Sequence, residues 1–306
     1  VKDLLKSEIP HGKFWNKAWS LIEGCTPISP GCKNCWLAGM ERRLGARVIK
    51  GVSGSLTDGT ATGHQEHIPS PLAPNGVFNG IVHCREDRFS IPLKRRKPTV
   101  YAIWSDLFHE LVPDEFIGSA FGVMYEASHH RFIIVTKRPE RAVSFMRSYR
   151  FPGGPMPPYV AKNVIIMVTM EDQQRVDERI PSAYALSVNG WNVGILCEPL
   201  LGPVSLSKWI NHKEDEPSPF RWLITGGESG PGARPAHADW FRSLREQSVG
   251  LPFLFKQWGE WGLNWYNDPD GKPVVPKEYN EWMDRMGKKA AGRILDGRTW
   301  DEVPDL

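Results

Sequence analysis

Three of the chain's five cysteines, Cys25, Cys32 and Cys35, fall within eleven residues, in the segment GCTPISPGCKNCW. Their spacing is C-x6-C-x2-C, while Cys84 and Cys197 lie far off. An odd count with one tight cluster is unlike a disulfide framework, and clustered thiols in a reducing compartment bind metal or do chemistry. Two prolines and two glycines keep the segment out of helix until about Cys32, and a helix is expected from Lys33 through Leu44. A loop that turns into a helix can aim three thiolates at one point, with backbone N–H groups nearby to stabilise their charge. Two chemistries suit that pattern. Three thiolates can hold three irons of a [4Fe–4S] cluster and leave the fourth iron to an exogenous ligand, whereas a closed cluster normally takes four cysteines. S-adenosylmethionine, with an amine and a carboxylate, can chelate that iron, and one-electron reduction would release a 5′-deoxyadenosyl radical. Alternatively C-x2-C is a zinc hook completed by His11, His83 or Cys84, in a non-catalytic nucleic-acid-binding protein. A non-radical iron–sulfur protein is a third possibility. Spacing alone leaves these open.

The elements that must position the thiols read as strand followed by helix, repeated. Continuous apolar runs stand at 99–104, 131–135, 164–168, 193–196, 222–225 and 253–255, with helical stretches between most of them. Continuous runs suit strands buried on both faces, and alternation with helices argues a parallel sheet. One or two more strands are expected within 18–23 and 80–85. The fold class is α/β, best fitted by a full or partial (β/α) TIM-like barrel, with a doubly wound open sheet as runner-up. The barrel is expected to occupy 1–263, with a cluster loop at 24–36 and an insertion at 51–75. Residues 264–306 are expected to form a C-terminal extension packed on it. The stretches 51–75, 151–158 and 264–292 read as irregular.

In either architecture, function gathers at the carboxyl ends of the strands, and each readable strand ends in polar or reactive residues. Ser105, Asp106, Thr136 and Lys137 are candidate cofactor contacts, as are Thr169 and Glu171 for ribose hydroxyls or an amine, and Trp36 beside the cysteines. Their competing readings are turn formation for Ser105 and Asp106, helix capping for Thr169 and Glu171, and, for Lys137 with Arg138, a solvated pair at a helix start, where the dipole disfavours cations. Arg138 is a candidate for a substrate phosphate. So are Arg234 and His237, against the reading of a polar loop. Gly226, Gly227 and Glu228 allow close backbone approach to a ligand. Cys197, Glu198 and Lys256 are candidates for catalysis, although a lone cysteine more often packs. Gln257 and Trp258 add an amide and a stacking face suited to a nucleobase, or Trp258 only closes the barrel. The strongest basic run, Lys94 to Lys97, is a candidate for DNA phosphates or a solvated strand entry.

Composition sets the bounds. Hydrophobic residues make up 41% and charged residues 24% of 306, as expected of a globular enzyme rather than a disordered or fibrous chain. No run of 18 apolar residues is present, so no membrane span is expected. The first fifteen residues lack the apolar core of a signal peptide, and a cytoplasmic location is the default expectation. Net charge is +3, which does not by itself indicate nucleic acid. Nothing in the sequence indicates the oligomeric state.

Eight stretches resemble a phage-associated family of unassigned function, the three-cysteine-motif proteins, which are regarded as divergent radical-SAM enzymes. They are GCTPISPGCKNCW, WSDLFHELVPDEFI, IVTKRPER, MEDQQRVDERIP, CEPLLGPV, GGESGPGARPAH, PFLFKQWGEW and GRILDGRTWDEVP, together spanning roughly 14–303. The resemblance implies a TIM-like barrel of the radical-SAM type, a [4Fe–4S] cluster, S-adenosylmethionine and an external one-electron reductant. It also implies a DNA or nucleotide substrate, an amino-acid-decorated thymidine of phage DNA on which an isomerase would move an amino group. Gly226-Gly227-Glu228 is similar to the element with which radical-SAM enzymes hold the methionyl amine, though it follows a late strand. The sequence departs from the usual radical-SAM motif in its six-residue first gap, where three is usual. The aromatic residue also follows the third cysteine, as Trp36, instead of preceding it.

Overall fold

The computed structural model describes residues 12–44, 70–150, 162–210, 217–263, 266–267, 273–274 and 283–305. His11, most of the expected insertion at 51–75, the connector at 151–158 and part of the stretch at 264–292 lie outside the described residues.

The apolar runs fold as strands because their residues can be buried on both sheet faces. In chain order the elements begin with β1 (Lys17–Ala18), β2 (Ile22–Gly24), α1 (Trp36–Leu44), β3 (Val82–Cys84) and α2 (Ser90–Lys94). The strand–helix repeat follows: β4 (Val100–Ile103), α3 (Asp114–Glu126), β5 (Arg131–Thr136), α4 (Pro139–Ser148), β6 (Val164–Thr169) and α5 (Gln173–Val188). It continues through β7 (Val193–Cys197), α6 (Ser207–Ile210), β8 (Trp222–Thr225), α7 (Ala238–Gln247) and β9 (Phe253–Phe255). Last come β10 (Trp261–Leu263), β11 (Tyr266–Asn267), β12 (Pro273–Val274), β13 (Met283–Arg285) and α8 (Lys288–Ala291). Local signals fix several starts. Asp114 and Glu115 sit in the first turn of α3, where the helix dipole favours acids, and Pro139 opens α4. Asp172, not Thr169, caps α5 by accepting the Arg175 N–H at 2.8 Å.

Seven strands form one sheet in the order β1-β4-β5-β6-β7-β8-β9, and every neighbouring pair is parallel. The order rises without reversal. A doubly wound sheet reverses its strand order at a switch point, so the runner-up architecture is set aside. The sheet is a half-barrel, an open form of the barrel winding, because β1 and β9 do not pair. The expected strand within 18–23 divides instead. Lys17–Ala18 joins the sheet beside β4, whereas Ile22–Gly24 pairs antiparallel with Val82–Cys84. Residues near the C-terminus lie along the β9 edge: the Phe255 N–H donates to Trp300 O and the Glu302 N–H to Phe253 O.

Side chains alternate across the sheet. Tyr101, Ile103, Phe132, Ile134, Ile166, Val168, Ile195 and Cys197 join the large core shared with the helices. Val100, Ile133, Val135, Ile165, Met167, Leu196, Trp222 and Ile224 form a smaller cluster on the other, inner face with Phe14. No helix among the described residues is long and apolar enough to cross a membrane.

Candidate functional site

The cysteine loop begins at a glycine that no other residue can replace without moving backbone. Gly24 has φ +93°, and a Cβ there would lie 2.0 Å from the Ile81 carbonyl oxygen. The loop then runs through a short 3-10 turn, Pro30–Cys32, and α1 starts only at Trp36. The expected helix from Lys33 is therefore shorter by three residues, because that turn carries the chain through Cys32 first. Cys25, Cys32 and Cys35 all line one cavity at the carboxyl ends of the strands. Ser105 and Asp106 after β4, Thr136, Lys137 and Arg138 of β5 and its exit, Thr169 of β6, Glu198 after β7 and Gly227 and Glu228 after β8 line it too. Trp36 closes one side, 43% exposed and edge-on to Trp104 with ring centroids 5.1 Å apart.

Burial, then repulsion from Asp106, pushes the Cys25 thiol up to about 11, against the pull of Arg138. Burial also raises Cys35, opposed by the N–H groups of Ala38 and Leu37. Thiols held protonated at neutral pH must lose protons to bind metal, so loading is coupled to proton release.

Three carboxylate–guanidinium groups hold the loop from three strand ends. Asp106 and Arg138 pair at 3.0 Å, and Arg138 donates to Thr26 O at 3.2 Å. Glu171 and Arg179 pair at 2.7 Å, and Glu171 accepts the Gly31 N–H at 3.2 Å and the Ser29 hydroxyl. Glu228 accepts from Arg234 and from Asn34 at 3.0 Å, while Arg234 donates to Pro30 O at 3.0 Å. Burial alone would raise Glu171 and Glu228. Lys137 and Arg179 outweigh it at Glu171, and Arg234 and Asn34 do so at Glu228, and both carboxyls are held below the ordinary range.

These contacts correct several expectations. Asp106 accepts from the Phe108 and Lys137 N–H groups, Thr136 Oγ1 and Arg138, which uses its acceptor capacity on the protein. Thr136 is likewise spent, because its hydroxyl also accepts the Arg138 N–H. Arg138, paired with both Asp106 and Glu110, is no free phosphate ligand. Glu171 is wholly buried and grips the loop. Arg234 is committed to Glu228 and Pro30. His237 caps α7 by accepting the Asp239 N–H at 3.2 Å and lines neither cavity found near the thiols. The close approach at Gly227 is to the protein itself: a Cβ there would meet Trp258 O at 1.7 Å. Gly226 is spent on the Cys197 and Leu200 backbone. Trp258 is 1% exposed, donates to Ile294 O and packs on Phe241 and Phe255. It belongs to the core.

Cys197 is also a core residue. β7 alternates, so Leu196 faces the cavity and Cys197 faces the helices. Burial, reinforced by Glu171, pushes its thiol far above the ordinary range. Cys197→Ala is expected to cost about 1 kcal/mol in chemical denaturation, the size of an ordinary core truncation, and to leave iron binding at Cys25, Cys32 and Cys35 unchanged. Its neighbour Glu198 does reach the cavity and holds Lys256 with both oxygens, at 2.7 and 2.8 Å. Gln257 donates weakly to Glu198 at 3.4 Å. Lys137, half-buried on the wall, keeps its ammonium out of any ion pair among the described residues.

A second, wider cavity of about 1060 Å³ shares Cys25, Cys32, Cys35, Trp36, Trp104 and Glu198 with the first and adds Lys256 and Gln257. Its size suits a small-molecule or cofactor site. Sequence reasoning missed Ser29, Asn34, Trp104 and Arg179 as parts of this architecture. Arg179 had a detectable signal: it lies on the same face of α5 as Val176, Ile180 and Ala183, all buried, and an arginine in an apolar stripe needs an internal partner.

Among the described residues, no three His, Cys, Asp or Glu side chains stand close enough to share one metal ion. A zinc site needs its donors within one coordination sphere, whereas a four-iron cluster places one thiolate on each of three irons. His83 and Cys84, offered as zinc partners, line neither cavity. Cys25, Cys32 and Cys35 do line one common cavity, and three thiolates are the donor set that a four-iron cluster with one open iron would require.

A profile of a family described as protein of unknown function (DUF5131) matches residues 8–304. No curated protein matches the chain. Among solved structures, a mutant of spore photoproduct lyase is 12% identical with a TM-score of 0.33. The match covers 68% of this chain and 64% of that one, so the chain spans less than two thirds of its length.

Proposed function

The chain belongs to the DUF5131 family of proteins of unknown function, and from there we propose that it is a radical S-adenosylmethionine enzyme acting on a modified nucleobase. The observation that carries this reading is the set of three thiols, Cys25, Cys32 and Cys35, on one cavity at the strand carboxyl ends, with the other two cysteines outside it. Cys25, Cys32 and Cys35 would hold a [4Fe–4S] cluster. With S-adenosylmethionine on the open iron and an external electron donor, the group supplies a 5′-deoxyadenosyl radical.

The protein's own part is ligation, orientation and exclusion of water. Three ion pairs fix the loop that carries the thiols before any group arrives. Lys137, with no ion-pair partner among the described residues, offers a cation to the carboxylate of S-adenosylmethionine. Trp36 and Trp104, on the walls of both cavities, would supply aromatic surface to an adenine or a substrate base. Glu198 and Lys256 sit where the two cavities meet and are placed to hold a proton or a polar group of the substrate. The finer reading, an isomerase that moves an amino group on an amino-acid-decorated thymidine of phage DNA, rests on the family resemblance in the motifs. Free thiols and an oxygen-sensitive group suit a cytoplasmic location.

Anaerobic reconstitution with iron and sulfide, followed by reductant and S-adenosylmethionine, tests the proposal. The expected result is a brown protein that releases 5′-deoxyadenosine, read by mass spectrometry, and a mass change in thymidine-hypermodified DNA supplied as substrate. A colourless protein with one tight zinc and no iron would overturn it.

A further inference from the structure

The wider cavity carries more positive charge than the three-cysteine chemistry uses. Lys13, Lys33, Arg42, Lys256, Lys288 and Arg293 line it, against Glu198 and Glu260 as the acids among the described residues. Lys256 is taken by Glu198, and Arg293 by Asp301. Lys13, Lys33, Arg42 and Lys288 make no ion pair among the described residues. Cations and indoles alternate along one wall. The Lys13 ammonium lies 5.5 Å over the Trp15 ring, Trp15 stands edge-on to Trp104 at 5.5 Å, and Lys256 Nζ lies 5.7 Å from Trp104. Like charges gathered around one opening are unfavourable in the empty protein, and an anion bound between them offsets the repulsion.

We infer that this rim is a phosphate site, with Lys13 and Lys288 holding the phosphate of a nucleotide whose base lies along the Trp36–Trp104 wall toward the cysteines. The identity of the base rests on the proposed function; the phosphate site does not. The basic run Lys94 to Lys97 is a separate patch. It precedes β4, so it lies at the amino ends of the parallel strands, the opposite end of the sheet from the cavity. The sequence reading of that run as a DNA contact is thereby moved to the cavity rim.

The test reads binding by the full chain as purified, before any cluster is built. A labelled mixed-sequence oligodeoxynucleotide is titrated by fluorescence anisotropy at several salt concentrations, with deoxynucleoside monophosphates and unphosphorylated deoxynucleosides as competitors. Lys13→Glu with Lys288→Glu is expected to weaken binding by at least about tenfold and to flatten the salt dependence by about one phosphate contact. Lys94→Glu with Lys97→Glu is expected to leave both unchanged. Lys13 and Lys288 are exposed, and an unchanged melting temperature confirms that the fold is kept. Competition by monophosphates would identify a free nucleotide as sufficient, and competition by strands alone a polymer; both support a phosphate site. Equal competition by unphosphorylated nucleosides would overturn it, as would a loss confined to the Lys94 and Lys97 variant. Because no cluster is needed, failure here leaves the iron–sulfur proposal standing, and the reverse also holds.

Discussion

Replacing Cys25, Cys32 or Cys35 singly with Ala is expected to lower iron retention after anaerobic reconstitution by more than about a hundredfold, beyond the 10–100-fold typical of losing an outer partner. 5′-Deoxyadenosine release should fall with it. The reason is that the protein has no spare thiol to rescue the site. Cys84 lies on β3 opposite Ile22, and Cys197 points into the helix-facing core. Two remaining thiolates cannot hold three irons. Iron analysis and the paramagnetic resonance of the reduced protein read the effect directly. A variant of any one of the three that keeps full iron and full turnover would sink the assignment of that ligand.

Glu171→Ala is expected to produce the second-largest effect, and it separates two quantities. Arg179 is buried and bonds to Glu171 at 2.7 Å and Thr169 O at 2.7 Å. Removing the carboxylate strands that guanidinium, at a cost of about 3–5 kcal/mol for a broken buried pair. It also frees Ser29 and the Gly31 N–H, so the loop between Cys25 and Cys32 loses its hold and iron retention falls by about 10–100-fold. Glu171→Gln keeps an acceptor for the Gly31 N–H and should retain more iron at a similar loss of stability. Denaturation and iron content are measured side by side. Lost stability with unchanged iron retention in both variants would mean that Glu171 supports only the fold. The pH dependence has a definite sign. The native carboxyl is held low, so its contribution is complete above the ordinary carboxyl range and fades as pH falls through the lowered native value.

Much of the scaffold was legible in the sequence. Runs such as RFIIV and VIIMV can be satisfied only by burial on both faces, and helices between them imply parallel pairing. Six strands therefore stand where the apolar runs place them. The ends of the sheet were less legible. Lys17–Ala18 has only two residues in the sheet, and its place beside β4 is set by a partner more than 80 residues away. Whether the sheet closes also depends on the pairing of distant edges.

The candidate site divides the same way. Residue type and spacing by themselves determined the three thiols, the strand ends that surround them and the polar character of those ends. They did so because cysteine spacing and apolar runs are local properties of the chain. Only the tertiary structure decided how each polar strand end is used. Asp106, Glu171 and Glu228 are candidate ligand contacts by sequence, yet each pairs with an arginine, and their remaining contacts go to the β4 and β5 ends for Asp106 and to the loop for the two glutamates. Trp258 and Cys197 were read as site residues, yet one packs under the Ile294 carbonyl and the other takes the wrong face of a strand. A buried carboxylate must find its partner inside the fold, and that partner lies eight residues from Glu171 and 32 from Asp106. The three cysteines line one cavity: chain spacing keeps them near one another, and three ion pairs at the strand ends hold the loop that carries them.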